Sequence, residues 1–419
     1  MVDPDQFAGE VPGLEFSHAP RSSGIPEDIS MADLKHLLQR MIDSRASDLF
    51  LSCGSAPRLK VEGHIRPLDL PVLRPGEVRR LAEEVMSERQ RQLFDQTLEA
   101  NLSYAFGQSG RFRVNLFQQR GEAAMVVRQI RSEVRTFEEL GMPRICAALA
   151  MAKRGLVLFV GAAGSGKSTS LAAMINYRAA HADDHILTIE DPIEILFRHN
   201  RSLVDQREVA VDTRSFADAL RNAMREAPDV IMIGEIRDQE TARHALGYSD
   251  TGHLCLSTLH ANNADQALER FIGFFPEEAH HDLLLDLSMN LSAVISQRLI
   301  PGTGARAVLA TEVLLLTPHM ADLIRDGRIA ELKEAMARAS DSGMHTFDQS
   351  LYELFAAGRI SLEEAERNAD SRTDLGLRIR LSQRRTVADA PGLSMLDADA
   401  RPGAEAEAGN PGTFYPRRP

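Results

Sequence analysis

The nine residues GAAGSGKST, Gly161 to Thr169, restrict the fold of this chain more than any other stretch. They fit G-x-x-x-x-G-K-[ST] and lie between the apolar run GLVLFV and a helical segment at 168–180. The pattern works only where a strand feeds a helix, because the glycines let backbone N–H groups wrap phosphate oxygens at the helix N-terminus. Gly161, Ala162, Ala163, Gly164, Ser165, Gly166, Lys167, Ser168 and Thr169 are therefore the expected nucleotide-binding residues. Lys167 is expected to reach the β and γ phosphates, and the Ser168 hydroxyl to ligate Mg²⁺. A nucleoside triphosphate is the expected ligand.

The apolar runs HILTIE, DVIMIG and HLCLST follow, separated by helical segments 213–226 and 238–248. Continuous apolar strands alternating with helices predict an α/β fold with a mostly parallel sheet covered on both faces. Upstream, SMADLKHLLQRMIDSRA reads as a helix capped by Ser30, with Met31, Leu34, Leu37, Leu38 and Met41 on one side. Short alternating runs, one further helix (GEVRRLAEEVMSERQRQLFDQ) and two or three more strands complete an N-terminal α+β domain. The expected organisation is a flexible extension at 1–28, the α+β domain at 29–145, the P-loop domain with C-terminal helices at 146–385, and a disordered tail at 386–419.

Three cysteines, Cys53, Cys146 and Cys255, form no CxxC pair, so neither a disulfide framework nor a four-cysteine structural zinc can be built. A reducing cytoplasm is expected. The longest apolar run falls far short of the roughly 20 residues that span a bilayer, so any membrane role is expected to act through partners. A formal charge of −12, with 5% aromatic residues and no Trp, argues against nucleic-acid binding, which needs phosphate neutralisation and stacking platforms.

Phosphoryl transfer to water also needs an acid at the end of a strand beside the P-loop strand. HILTIEDPIE offers Glu190, Asp191 and Glu194; APDVIMIGEIRD offers Asp229 and Glu235. Either Glu190 or Glu235 could orient the water while the other holds Mg²⁺ through its hydration shell. GYSDTGHLCLSTLH adds His253, Cys255 and His260, all competent zinc ligands but without a fourth partner nearby. Cys255, between Leu254 and Leu256, reads as a packed thiol, and His260, past the strand's end, can donate to a γ phosphate. His253, at the strand's start, reads as structural support or a subunit contact.

GAAGSGKST, ILTIEDPIE, REAPDVIMIGEIRD and TGHLCLSTLHANNA, in that order and spacing, resemble the secretion ATPase superfamily that powers type II secretion and type IV pili. The resemblance covers about residues 30 to 385 and is strongest to the pilus-retraction (PilT/PilU) branch, on its accessory side. It implies a RecA-like ATPase core, a PAS-like N-terminal domain and a homohexameric motor that uses ATP and Mg²⁺. It implies that Glu190 is the catalytic base, with Glu194 in the same box, that Glu235 supports the Mg²⁺ and water network, and that His260 reads the γ phosphate while His253 helps hold the site. Arg113 and Arg128 match the arginines that related N-terminal domains supply to a neighbouring subunit's nucleotide; Arg111 and Arg120 are alternatives. The implied partners are a PilT-like retraction ATPase and an inner-membrane pilus platform protein, with peripheral attachment to that membrane.

Where the principal retraction motors carry AIRNLIRE, this chain reads HMADLIRDG, His319 to Gly327, which favours an accessory role. A P-loop kinase, a nucleic-acid translocase and a non-catalytic scaffold are the rival readings. No acceptor pocket or lid segment is evident for the first, charge argues against the second, and the intact Lys167, Ser168, Glu190 and Glu235 argue against the third.

Overall fold

The computed structural model describes residues 33–107, 110–130, 133–304, 306–339 and 343–388. All of the expected extension at 1–28, with Ser30 and Met31, and most of the tail from 386 onward fall outside them. The chain divides into two compact units after Ile130. The boundary expected at 145/146 moves upstream because Phe137, Met142 and Cys146 pack into a core of the second unit with strand and helix residues such as Phe159 and Met174.

In the first unit, α1 (Leu34–Asp43) is capped by Asp33, whose carboxylate accepts from the His36 amide at 2.8 Å, and buries Leu34, Leu37, Leu38 and Met41. Next come β1 (Asp48–Ser52), β2 (Arg58–Val61) and β3 (His64–Pro67). The single helix expected next is two, α2 (Glu77–Glu83) and α3 (Glu88–Thr97), because Ser87 and Gln90 form a reciprocal capping box that starts a new helix. β4 (Glu99–Phe106), β5 (Gly110–Gln119) and β6 (Glu122–Ile130) complete a six-stranded antiparallel sheet in the order β3-β2-β1-β6-β5-β4. Alternation sends Phe112, Val114 and Leu116 of β5 into the core and Arg113 to the exposed face.

The second unit begins with α4 (Phe137–Leu140) and α5 (Ile145–Ala150), then β7 (Gly155–Val160), α6 (Lys167–His181), β8 (His185–Glu190), β9 (Leu203–Glu208), α7 (Phe216–Ala223), β10 (Val230–Ile233), α8 (Gln239–Asp250) and β11 (Leu254–Leu259). It continues with α9 (Ala264–Ile272), α10 (His280–Asn290), β12 (Leu291–Pro301) and β13 (Ala307–Leu315). The sheet runs β13-β12-β7-β11-β10-β8-β9, parallel throughout except for the antiparallel edge strand β13. Every residue of β7 is buried. Leu156, Leu158 and Val160 pack among α7 to α10, and Val157 and Phe159 among α5 and α6, so both faces are covered.

Five helices follow: α11 (Pro318–Arg325), α12 (Leu332–Arg338), α13 (Phe347–Ala356), α14 (Leu362–Asn368) and α15 (Arg372–Ala388). The HMADLIRDG stretch supplies α11, with Thr317 as its cap and Met320, Leu323 and Ile324 buried. Phe347, Leu351, Ile360 and Leu375 form a separate apolar cluster against Ile300 and Ala310 of the sheet edge. Neighbouring residues of β12 serve different sides. Gln297 donates to Ser170 of α6 at 2.7 Å, while Arg298 bonds the Asn368 carbonyl and Asp370 at 2.7 and 2.8 Å and stacks over Phe347.

Candidate nucleotide site

The loop from β7 to α6 is shaped by close backbone packing. Gly161 has φ +152°, and a Cβ there would lie 2.4 Å from Ser165 Oγ and 2.6 Å from the Gln297 carbonyl oxygen. Gly161→Ala must therefore move the loop or β12, and it should cost about 1–3 kcal/mol and weaken nucleotide binding. A denaturant melt and a titration with a labelled nucleotide check this; unchanged values in both would mean the loop yields freely. Gly166, at φ +94°, starts α6 in a conformation that side chains disfavour, and so leaves the first-turn amides open to an anion.

Lys167 is 8% exposed, and its Nζ donates to the Gly161 and Ala162 carbonyls at 2.8 and 3.0 Å. Burial lowers its pKa, and the charges of Glu235 and Glu194 oppose that shift. Ser165 Oγ is buried without a hydrogen-bond partner, while the Ser168 side chain lines the cleft. Amides, an ammonium and hydroxyls at a helix start form a donor set that fits a triphosphate with Mg²⁺.

The acids come from the carboxyl ends of β8 and β10. They do not lie directly beside the P-loop strand as expected: β11 is the neighbour of β7 on that side, then β10, then β8. Glu190 is 8% exposed and accepts from Thr188 Oγ1 at 2.8 Å, from Gln206 Nε2 at 3.0 Å and from the Glu194 amide. Burial outweighs these bonds and pushes its carboxyl up to about 7. Glu235 lies 3.4 Å from His260 Nε2 and 3.1 Å from Arg237 Nε, and Arg237 also reaches Asp191 at 3.3 Å. Lys167, Ser168, Glu190, Glu194, Glu235 and His260 line one cleft of about 270 Å³.

Three contributors escaped the sequence reading. Gln206 sits on β9, a half-polar edge strand whose Asp205, Gln206 and Arg207 give no apolar run. Thr188 lies inside HILTIE, where it reads as strand filler. Arg237 is in GEIRD, where the acid alone stands out as a functional group.

Other expected residues lie elsewhere. His253 precedes β11 and His260 follows it, so the strand's six residues, about 20 Å of backbone, separate them. His253 is therefore outside the cleft; its Nδ1 lies 3.2 Å from the Tyr248 carbonyl and 3.1 Å from Thr251 Oγ1, a local brace between α8 and β11. His253, Cys255 and His260 cannot converge on one ion, since buried Cys255, its thiol pKa raised by burial, lies within the strand between them. Among the described residues no group of three or more His, Cys, Asp or Glu could hold a metal ion. Asp229, at the start of β10, accepts from the His185 amide at 2.9 Å, far from the cleft.

Arg113 and Arg128 of the first unit are direct cross-strand partners on β5 and β6, and Arg128 Nε binds Asp48 at 2.7 Å. Two guanidinium groups placed opposite each other repel, and the Asp48 carboxylate offsets part of that repulsion. Arg120 lies in the β5–β6 hairpin turn, with φ 52° beside Gly121 at 81°.

A sequence model of the type II/IV secretion system protein family matches residues 27–366. The type IV pilus ATPase PilU of Pseudomonas aeruginosa is 50% identical over 367 residues, covering 87% of this chain and 95% of that protein. The type IV pilus retraction ATPase PilT of the same organism is 43% identical over 337 residues, covering 80% of this chain and 98% of its own length. A crystal structure of the pilus retraction motor PilT with bound ADP superposes with a TM-score of 0.78 at 40% identity, covering 83% of this chain and 99% of that one.

Proposed function

This chain belongs to the type II/IV secretion system protein family and is an ATPase of its pilus-retraction branch, and from that premise we propose that it works as a hexameric accessory motor beside a PilT-like ATPase. The observation that carries its ATP chemistry is the convergence of Lys167, Glu190, Glu235 and His260 at the carboxyl ends of four strands of one sheet; the accessory role rests on the 50% identity to PilU.

In this reading Lys167 exchanges its two carbonyl partners for the β and γ phosphates. Glu190 takes a proton from the attacking water; a new P–O bond forms at the γ phosphorus as the bond to the ADP oxygen breaks. A base with a pKa near neutrality suits that transfer. Mg²⁺, held through Ser168 and the hydration shell near Glu235, would neutralise the phosphate oxygens. His260 donates to the γ phosphate, and the Glu194 backbone amide holds Glu190.

Arg113 and Arg128 would act on a neighbouring subunit's nucleotide, making hydrolysis depend on closure between subunits. Force then follows from contacts that differ between the ATP and ADP states. No helix among the described residues is long and apolar enough to cross a membrane, consistent with peripheral attachment to an inner-membrane platform protein.

Pilus retraction measured in cells lacking this protein, lacking a PilT-like partner, or lacking both tests the assignment. The expected result is loss of retraction without the partner and weaker, load-sensitive retraction without this chain. Full retraction in cells that lack only the partner would make this chain a principal motor.

A further inference from the structure

We infer that Glu312, outside the nucleotide cleft, is a positioning residue that braces the segment after β11, which carries His260, against the strand beside the P-loop strand; this rests on the proposed contact between His260 and the γ phosphate. Glu312 lies in the middle of β13, and only 1% of it is exposed. A carboxylate in an apolar strand is costly to bury unless its hydrogen bonds matter. Its Oε1 accepts two. One comes from the Ala264 amide at 2.7 Å, the other from the Ser296 hydroxyl at 3.1 Å.

Those donors belong to separate segments, β12 and the start of α9. Ser296 of β12 pairs with Val160, the last residue of β7 before the P-loop. The next residue, Gln297, places its carbonyl against Gly161. Ala264 opens α9, four residues after His260, and its amide is one of the four at a helix start that the helix itself cannot satisfy. The cap residue Asn263 serves the Gln266 amide, leaving Ala264 to Glu312. One oxygen atom thus joins the P-loop side to the segment that ends β11 and carries His260. The required property is a hydrogen-bond acceptor at that point, which glutamine also supplies.

Steady-state ATP turnover by the full-length chain tests this in four variants: Glu312→Leu, Glu312→Gln, His260→Ala and Glu312→Leu with His260→Ala. Glu312→Leu should lower kcat about 10- to 100-fold with the KM for ATP changed less than about twofold, and Glu312→Gln should restore most of the loss. In the His260→Ala background the added effect of Glu312→Leu should vanish. An equal fold-loss in both backgrounds, a loss confined to KM, or no rescue by glutamine would overturn the inference. Normal turnover by His260→Ala would instead remove the reading of His260 on which it rests. Thermal melts of Glu312→Leu and Glu312→Gln separate misfolding from mispositioning, and a melt shared by both with only glutamine active supports the inference.

Discussion

Glu190→Gln is expected to abolish ATP turnover, by about 10²- to 10⁴-fold, while making the protein without nucleotide more stable. The carboxyl is buried and its pKa rises from 4.5 to about 7. A raised acid pKa means that the folded state holds a proton which the unfolded state has released, so stability declines as pH rises from 4.5 to about 7. The cost at neutral pH is about 3 kcal/mol. Glutamine keeps the acceptor that serves Thr188 and Gln206 and carries no charge to desolvate. Glu312, also raised from 4.5 to about 7 by burial, adds a slope of the same sign over the same window. Melts of wild type and Glu190→Gln at pH 5 and pH 7.5 should therefore diverge at the higher pH, with the variant the more stable. Turnover above a tenth of wild type would transfer the base role to another group; a less stable variant at pH 7.5 would contradict the burial argument.

Lys167→Ala should have an effect of similar size on a different step. The ammonium is the cation nearest the expected phosphates, and removing such a group costs about 10²- to 10³-fold in rate, with nucleotide affinity lost as well. Stability without nucleotide should change little. The variant loses two hydrogen bonds to Gly161 and Ala162 but also removes a partly desolvated charge. Isothermal titration with ATP and a thermal melt separate the two readouts. ATP binding at wild-type affinity would mean that backbone amides alone hold the phosphates.

The contrast between the residues that the sequence predicts and those it hides has a physical basis. β7, β8, β10 and β11 are buried on both faces, so each is a short apolar run visible without any partner. Their carboxyl ends carry Lys167, Glu190, Glu235 and His260 within a few residues, which is why the main groups of the cleft were legible. Strand order was not. It depends on which apolar runs pair, and it separates Glu190 from the P-loop strand by β11 and β10. Gln206 was hidden because an edge strand needs apolar residues on only part of its surface. Glu312, a lone acid within AVLATEVLLL, did carry a signal, since an apolar strand seldom buries a carboxylate without a use for it. His253 and His260 look equivalent as letters, but the apolar run between them already puts them at opposite ends of a strand, and β11 keeps them there.

Gln297 and Arg298 also have a mechanical meaning. Successive side chains on a strand point to opposite faces. One of these two therefore faces α6 and the P-loop while the next is bound to the turn between α14 and α15. The Arg298–Asp370 ion pair ties the C-terminal helices to β12, and the Gln297 carbonyl leaves no room for a Cβ at Gly161. The path from those helices to the P-loop runs through the Arg298 side chain, the planar peptide link between Arg298 and Gln297, and the Gln297 carbonyl beside Gly161.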